Sequence, residues 1–179
     1  MRFEPTDIDG LFVVDLMLHE DSRGHFARTY CEREFAAAGI PFRPVQANVS
    51  LNKHKGTLRG LHYQKAPHDE AKLMRCVRGA IHLAAIDIRP LSLTFRTVVA
   101  IRLDADEHRQ LYFPEGVVNG FQTLDDDSEV LYLMSEFYEP KAVAGFRYDD
   151  PSFAIEWPLE VTEISDRDLA LPNFTPGSP

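Results

Sequence analysis

Ala80-Ile81-His82-Leu83-Ala84-Ala85-Ile86-Asp87-Ile88-Arg89 is apolar almost throughout, as expected of a strand buried on both faces. Downstream, Thr94 to Leu103 alternates: Phe95, Val99, Ile101 and Leu103 point one way, while Thr94, Arg96 and Arg102 point the other. Arg109 to Phe113 and Glu129 to Tyr138, rich in Tyr, Phe, Leu and Val, are further strands. Turn material separates these runs at Arg89-Pro90, Pro114-Glu115-Gly116 and Asp125-Asp126-Asp127. Helix signals are few. Glu32 to Ala38, closed by Gly39, is one, and Ser165 to Ala170, with Ser165 as cap, is a weaker one. Many short strands with little helix predict a mainly β protein, an antiparallel jelly roll with short peripheral helices.

The 179 residues fit one domain, expected over 1–170. A Pro-rich tail, 171–179, is expected to trail in solvent or against a neighbour. Nineteen basic against 28 acidic residues give a net charge of −9. That balance argues against nucleic acid as partner, because phosphate neutralisation needs clustered cations. Cys31 and Cys76 have no partner at metal or redox spacing. No apolar run is long enough to span a membrane, and Met1 to Gly10 carries Glu4, Asp7 and Asp9 without an apolar stretch. The expectation is a cytoplasmic protein.

The densest polar cluster is Thr57-Leu58-Arg59-Gly60-Leu61-His62-Tyr63-Gln64, followed by Lys72. It combines a base, a fixed cation and an amide. A lone histidine is usually a hydrogen-bonded interior residue, but a partly buried Arg59 beside it needs an anion from the protein or from a ligand. Residues three apart on a regular strand face opposite ways. Arg59 and His62 share a pocket only if the chain bulges, and Gly60 is the place for it. Metal binding is the rival, with His54, His62, His68 and Glu70 nearby. The segment between His62 and His68 is broken by Pro67, and the His-x-His pair usual in metal cupins is absent. Neither GxGxxG nor GxxxxGK[ST] occurs, which removes the Rossmann and P-loop readings.

Taken in order, Asp21-Ser22-Arg23-Gly24-His25-Phe26, Gln46-Ala47-Asn48-Val49-Ser50 and Leu58 to Gln64 form a series. Lys72, Pro114-Glu115-Gly116, Gly120-Phe121, Tyr132, Tyr138, Asp150-Pro151, Trp157-Pro158 and Ser165 to Asp168 continue it. The series resembles the dTDP-4-dehydrorhamnose 3,5-epimerase family over roughly residues 7 to 172. The resemblance implies a cupin-type jelly roll that needs no metal and no cofactor. It also implies a homodimer built by exchange of N-terminal strands, with Leu11 to Val14 expected to cross, and a nucleotide-diphosphate-linked 4-keto-6-deoxyhexose as substrate.

Residue by residue, His62 matches the family's base, Asp168 the carboxylate that orients it, Tyr132 the acid and Lys72 the cation near the keto oxygen. Arg23, Gln46, Asn48 and Arg59 match contacts to nucleotide and diphosphate, and Tyr138 the ring stacked on the base. Phe26, Arg28, Asn119 and Arg167 join the substrate-contacting set. The chemistry explains these types: C3 and C5 both flank the ketone, so loss of either proton gives an enolate. Histidine suits the abstraction, a cation the oxyanion, and an acid on the other ring face the inversion.

The chain departs from the family pattern at Asn119 and Leu83, which replace a His and an Asp, and at Arg28 and Val143, which replace glutamates. Those changes define an alternative, inversion of a single centre, C3 or C5, on a CDP- or other NDP-keto sugar. Arg28 offers only donors. At the base edge it would favour cytidine over thymidine, whereas paired with an acid such as Glu32 it leaves dTDP favoured. Readings of other classes are a metal-dependent cupin isomerase or dioxygenase using His62, His68 and Glu70, and a non-catalytic sugar-nucleotide-binding role.

Overall fold

The structure is a computed structural model that describes residues 1–175. The chain runs β1 (Arg2–Pro5), β2 (Phe12–Asp15), β3 (Leu18–Asp21), β4 (Gly24–Ala27), α1 (Glu32–Ala37), β5 (Gln46–Asn52), β6 (Leu58–Gln64), β7 (Lys72–Arg78) and β8 (Ala80–Asp87). It continues through β9 (Val98–Asp104), β10 (Arg109–Phe113), β11 (Val117–Thr123), β12 (Ser128–Met134), β13 (Val143–Gly145) and α2 (Asp166–Leu169). A six-stranded sheet in the order β1-β2-β10-β7-β12-β5 faces a five-stranded sheet in the order β13-β6-β11-β8-β9, while β3 and β4 form a separate hairpin. All strand pairs are antiparallel. The fold is the expected cupin-type jelly roll. No helix among the described residues is long and apolar enough to cross a membrane.

Strand β8 is apolar on both faces because it has two layers to meet. Ile81, Leu83 and Ala85 join Met74, Cys76, Leu111, Phe113 and Val130 in the core between the sheets. Ile86 packs on the opposite side with Leu61, Val118, Phe146, Phe153 and Phe174. Phe174 corrects the expected tail: it is buried, it meets Phe146 edge to face at 5.2 Å, and its backbone N–H donates to Asp150. Its aromatic surface is worth more in the core than in water, so residues 171–175 end the domain rather than trail from it. The rest of that tail, 176–179, lies outside the described residues.

Two strands are shorter than their patterns predict. Strand β9 begins at Val98, not Thr94, because the buried carboxylate of Asp87 gathers Arg89, Ser92 and Thr94 into a turn that Arg96 completes with a φ of 69°. Phe95 therefore packs beside Phe174. Strand β12 ends at Met134, where the chain turns away and frees Tyr138 for the cavity.

The expectation that Leu11 to Val14 crosses to a partner is also corrected. Strand β2 pairs with β1 and β10 of its own chain, and Leu11 and Val14 are fully buried there. Their apolar surface is already satisfied. Helix α1 covers this end of the outer face through Phe35, packed among Phe3, Tyr30, Phe42 and Tyr112.

Candidate active site

Towards one end of the sandwich the core turns polar. On the six-stranded sheet, Asn48, Tyr132 and Met74 lie side by side across β5, β12 and β7, and Gln46, Met134 and Lys72 form a parallel row two residues along. Period-two geometry puts both rows on one face, and that face lines a cavity of about 500 Å³. The opposite wall comes from the five-stranded sheet through Arg59, His62 and Asn119. This size suits a small-molecule ligand.

The bulge expected at Gly60 is present. Asn119 pairs with His62 and Phe121 with Arg59, so β6 carries one residue more than β11 between those pairs. Gly60 has a φ of +113°, and a Cβ there would stand 2.7 Å from Cα of Gly120 and 2.9 Å from the carbonyl oxygen of Asn119. Only glycine permits this approach. The extra residue turns both Arg59 and His62 into the cavity. Arg59 is steadied there by donation from Nε to Oδ1 of Asn52 at 2.6 Å.

Helix α2 delivers the carboxylate. Ser165 caps it by accepting from the N–H of Asp168 at 3.1 Å, and Asp168 is buried against β6. Its Oδ1 lies 2.8 Å from Nε2 of His62, and its Oδ2 accepts from the N–H of Gly60 at 3.1 Å. Burial pushes the Asp168 carboxyl up, but His62, Gly60 and Ser165 together bring it below its ordinary value. Across the cavity, burial raises the Tyr132 hydroxyl, which the positive charge of Arg59 partly offsets. Lys72 donates to Oε1 of Glu70 at 2.8 Å, and both are buried.

At the mouth, Gln46 ties Tyr138 to Asn48. Its Oε1 accepts from the N–H of Tyr138 at 3.1 Å and its Nε2 donates to Asn48 at 3.0 Å. Arg167 reaches the Tyr138 hydroxyl at 3.5 Å. Asn119 lies in the wall with Nδ2 3.4 Å from the carbonyl oxygen of His62, while Leu83 is fully buried in the core between the sheets.

Ten of the thirteen residues singled out from the sequence line this one cavity: His62, Tyr132, Asp168, Lys72, Gln46, Asn48, Arg59, Asn119, Tyr138 and Arg167. The other three do not. Arg23 pairs with Asp21 on the exposed β3–β4 hairpin, Phe26 is 69% exposed there, and Arg28 pairs with Glu34. Arg28 thus has a carboxylate partner, Glu34 rather than Glu32, and does not meet the base edge of its own chain's cavity. The proposed metal ligands fare no better. Nε2 of His62 is held by Asp168, Glu70 is held by Lys72, and His68 is not in the wall. Among the described residues no three His, Cys, Asp or Glu side chains are grouped to hold a metal ion. Sequence reasoning missed Glu70 as the partner of Lys72, although their spacing of two on the approach to β7 was a usable signal.

This jelly roll, with a His–Asp pair on one wall of its cavity and a tyrosine and a lysine on the other, falls by comparison with known proteins in the isomerase class. The family model described as dTDP-4-dehydrorhamnose 3,5-epimerase matches residues 5–176, and the chain belongs to that family. It is 41% identical over 177 residues to the dTDP-4-dehydrorhamnose 3,5-epimerase of Mycolicibacterium smegmatis, covering 97% of this chain and 86% of the relative. The Bacillus anthracis enzyme of that name, solved with TDP and PPi bound, superposes with a TM-score of 0.94 at 35% identity, covering 97% of this chain and 99% of that one. The Legionella pneumophila enzyme, in complex with dTDP-4-keto-L-rhamnose, gives a TM-score of 0.88 at 32% identity, covering 97% and 98%.

Proposed function

We propose that the protein inverts C3 and C5 of a dTDP-linked 4-keto-6-deoxyhexose by proton abstraction and reprotonation through an enolate. The observation that carries this reading is the placement of His62 on one sheet, paired with Asp168 of α2, and of Tyr132 on the facing sheet. With Nε2 held by Asp168, Nδ1 of His62 takes the proton from the carbon beside the ketone, and Asp168 stabilises the imidazolium that forms. The electron pair moves onto the keto oxygen, where Lys72 donates a hydrogen bond to the oxyanion. Tyr132 then gives its proton to the other face of the same carbon. The tyrosinate is reprotonated from solvent and the imidazolium releases its proton, which returns the enzyme to its starting state. Gln46, Asn48, Arg59, Tyr138 and Arg167 hold the nucleotide and its diphosphate.

The working unit is a homodimer. Val49 and Leu51 leave exposed apolar surface on the outer side of edge strand β5, and Phe26 stands out on the β3–β4 hairpin. A second copy would cover this surface and receive Arg23 and Phe26 at its own cavity. The test is deuterium uptake from D2O into dTDP-4-keto-6-deoxyglucose, followed by NMR of the product and light scattering of the enzyme. Exchange at C3 and C5 with an inverted product supports the reading, whereas a chain that binds the substrate without exchange is a binding protein.

A further inference from the structure

Besides Asp168, Glu70 is the acidic residue in the cavity wall, and the reaction as described leaves it without a task. Its side chain is 3% exposed. Oε1 takes the ammonium of Lys72 at 2.8 Å, but Oε2 is buried with no hydrogen-bond partner. A carboxylate accepts at about four lone-pair sites, and a bare buried oxygen is costly. Glu70 lines the cavity beside Lys72, so a turn of its carboxylate would offer this unpartnered acceptor to a ligand.

A sugar hydroxyl is such a donor, and the substrate class proposed above restricts which one. In a nucleotide-linked 4-keto-6-deoxyhexose the free hydroxyls are at C2 and C3, and only C3 adjoins the ketone. The two oxygens of a vicinal hydroxyketone lie about one hydrogen-bond length apart, as do Nζ of Lys72 and Oε1 of Glu70. With Lys72 donating to the keto oxygen, the neighbouring carboxylate is placed for the C3 hydroxyl. The terminal torsion of a glutamate is broad, so the unpartnered oxygen turns to the incoming hydroxyl at little cost. Reversing the ligand would set carboxylate against carbonyl, which the pair rejects. When the C3 proton leaves, C3 becomes planar and both oxygens enter one plane, still within reach of the same two side chains.

We infer that Glu70 is a specificity-determining residue that accepts a hydrogen bond from the C3 hydroxyl, so that the enzyme selects 3-hydroxy over 3-deoxy 4-keto sugars. The inference rests on the epimerase reading. Its test compares kcat/KM for dTDP-4-keto-6-deoxyglucose and its 3-deoxy analogue, read as deuterium exchange at C5, a centre both compounds share. The wild type should favour the 3-hydroxy compound by about tenfold to a hundredfold, the range for a hydrogen bond to a charged group. Glu70→Ala should bring that ratio close to one, and Glu70→Gln, which keeps the shape, should give an intermediate value. The ratio is taken within each protein, so a general loss of packing or of Lys72 position divides out. Should Glu70→Ala fail to fold, the fall in ratio for Glu70→Gln carries the test. A wild-type ratio near one, or a ratio unchanged in the variants, overturns the inference while leaving the epimerase reading intact. No exchange on either compound by the wild type overturns both.

Discussion

Oδ1 of Asp168 stands 2.8 Å from Nε2 of His62, across 106 residues of chain. His62 lies on strand β6 and Asp168 on one turn of helix near the end of the chain. Loss of the carboxylate therefore disturbs the base without removing it. Asp168→Asn should lower kcat by about 10²- to 10⁴-fold, the usual worth of a positioned acid or base, while dTDP binding by calorimetry stays near the wild-type value. His62→Ala should abolish exchange altogether.

Tyr132→Phe separates the two halves of the reaction. In the proposed reaction, enolate formation needs His62 and Lys72 and not the tyrosine hydroxyl. Deuterium uptake at a ring carbon should persist in this variant while inverted product disappears. NMR of the recovered sugar reads both in one sample. Full turnover in Tyr132→Phe would remove the tyrosine from the mechanism.

Gly60→Ala tests the bulge. The new Cβ would meet backbone at 2.7 and 2.9 Å at a φ of +113°, so the strands must part. The expected cost is about 1–3 kcal/mol from backbone strain alone, with loss of activity as Arg59 and His62 lose their common direction. Gly24→Ala is the control: its φ is +126°, but nothing lies within 4 Å of the added carbon. Urea midpoints should fall further for Gly60→Ala than for Gly24→Ala.

Asp87 sets an acid limit on stability. Burial pushes its carboxyl up, but Arg89, Ser92 and Thr94 hold it down at about 2, against an ordinary 3.8. The native state then binds fewer protons than the unfolded chain between those values. The stabilisation, about 2 kcal/mol by linkage, is complete above the ordinary value and lost as pH falls through about 2. Denaturant titrations of Asp87→Asn should show a lower stability at neutral pH and a shallower loss over that acid interval.

Much of this architecture was legible in residue patterns, and the exceptions share a cause. The apolar run from Ala80 and the polar cluster at Arg59 to His62 announce a doubly buried strand and a site, because burial and period-two geometry act locally. The start of β9 is not local: Asp87, by drawing in Ser92 and Thr94, overrides an alternation that reads as strand. Phe174 is likewise indistinguishable from a tail residue until Phe146 and Phe153 supply the surface that buries it. Glu70 was visible only as a possible metal ligand, since its pairing with Lys72 depends on how deeply both are buried. Arg23, Phe26 and Arg28 came from family resemblance, and resemblance does not say whose cavity they serve.

The two-layer architecture has a stereochemical consequence. A sugar ring held between the facing sheets would show one side to His62 on β6 and the other to Tyr132 on β12, so in the proposed reaction the proton acceptor and the proton donor belong to different layers. On that reading the handedness of the product is set by the assignment of residues to sheets rather than by fine adjustment within one wall. Moving the donor onto β11, beside the base, would preserve isotope exchange and return the original configuration. In that sense the sandwich would work as a mould for inversion, each layer keeping its own half of the proton exchange.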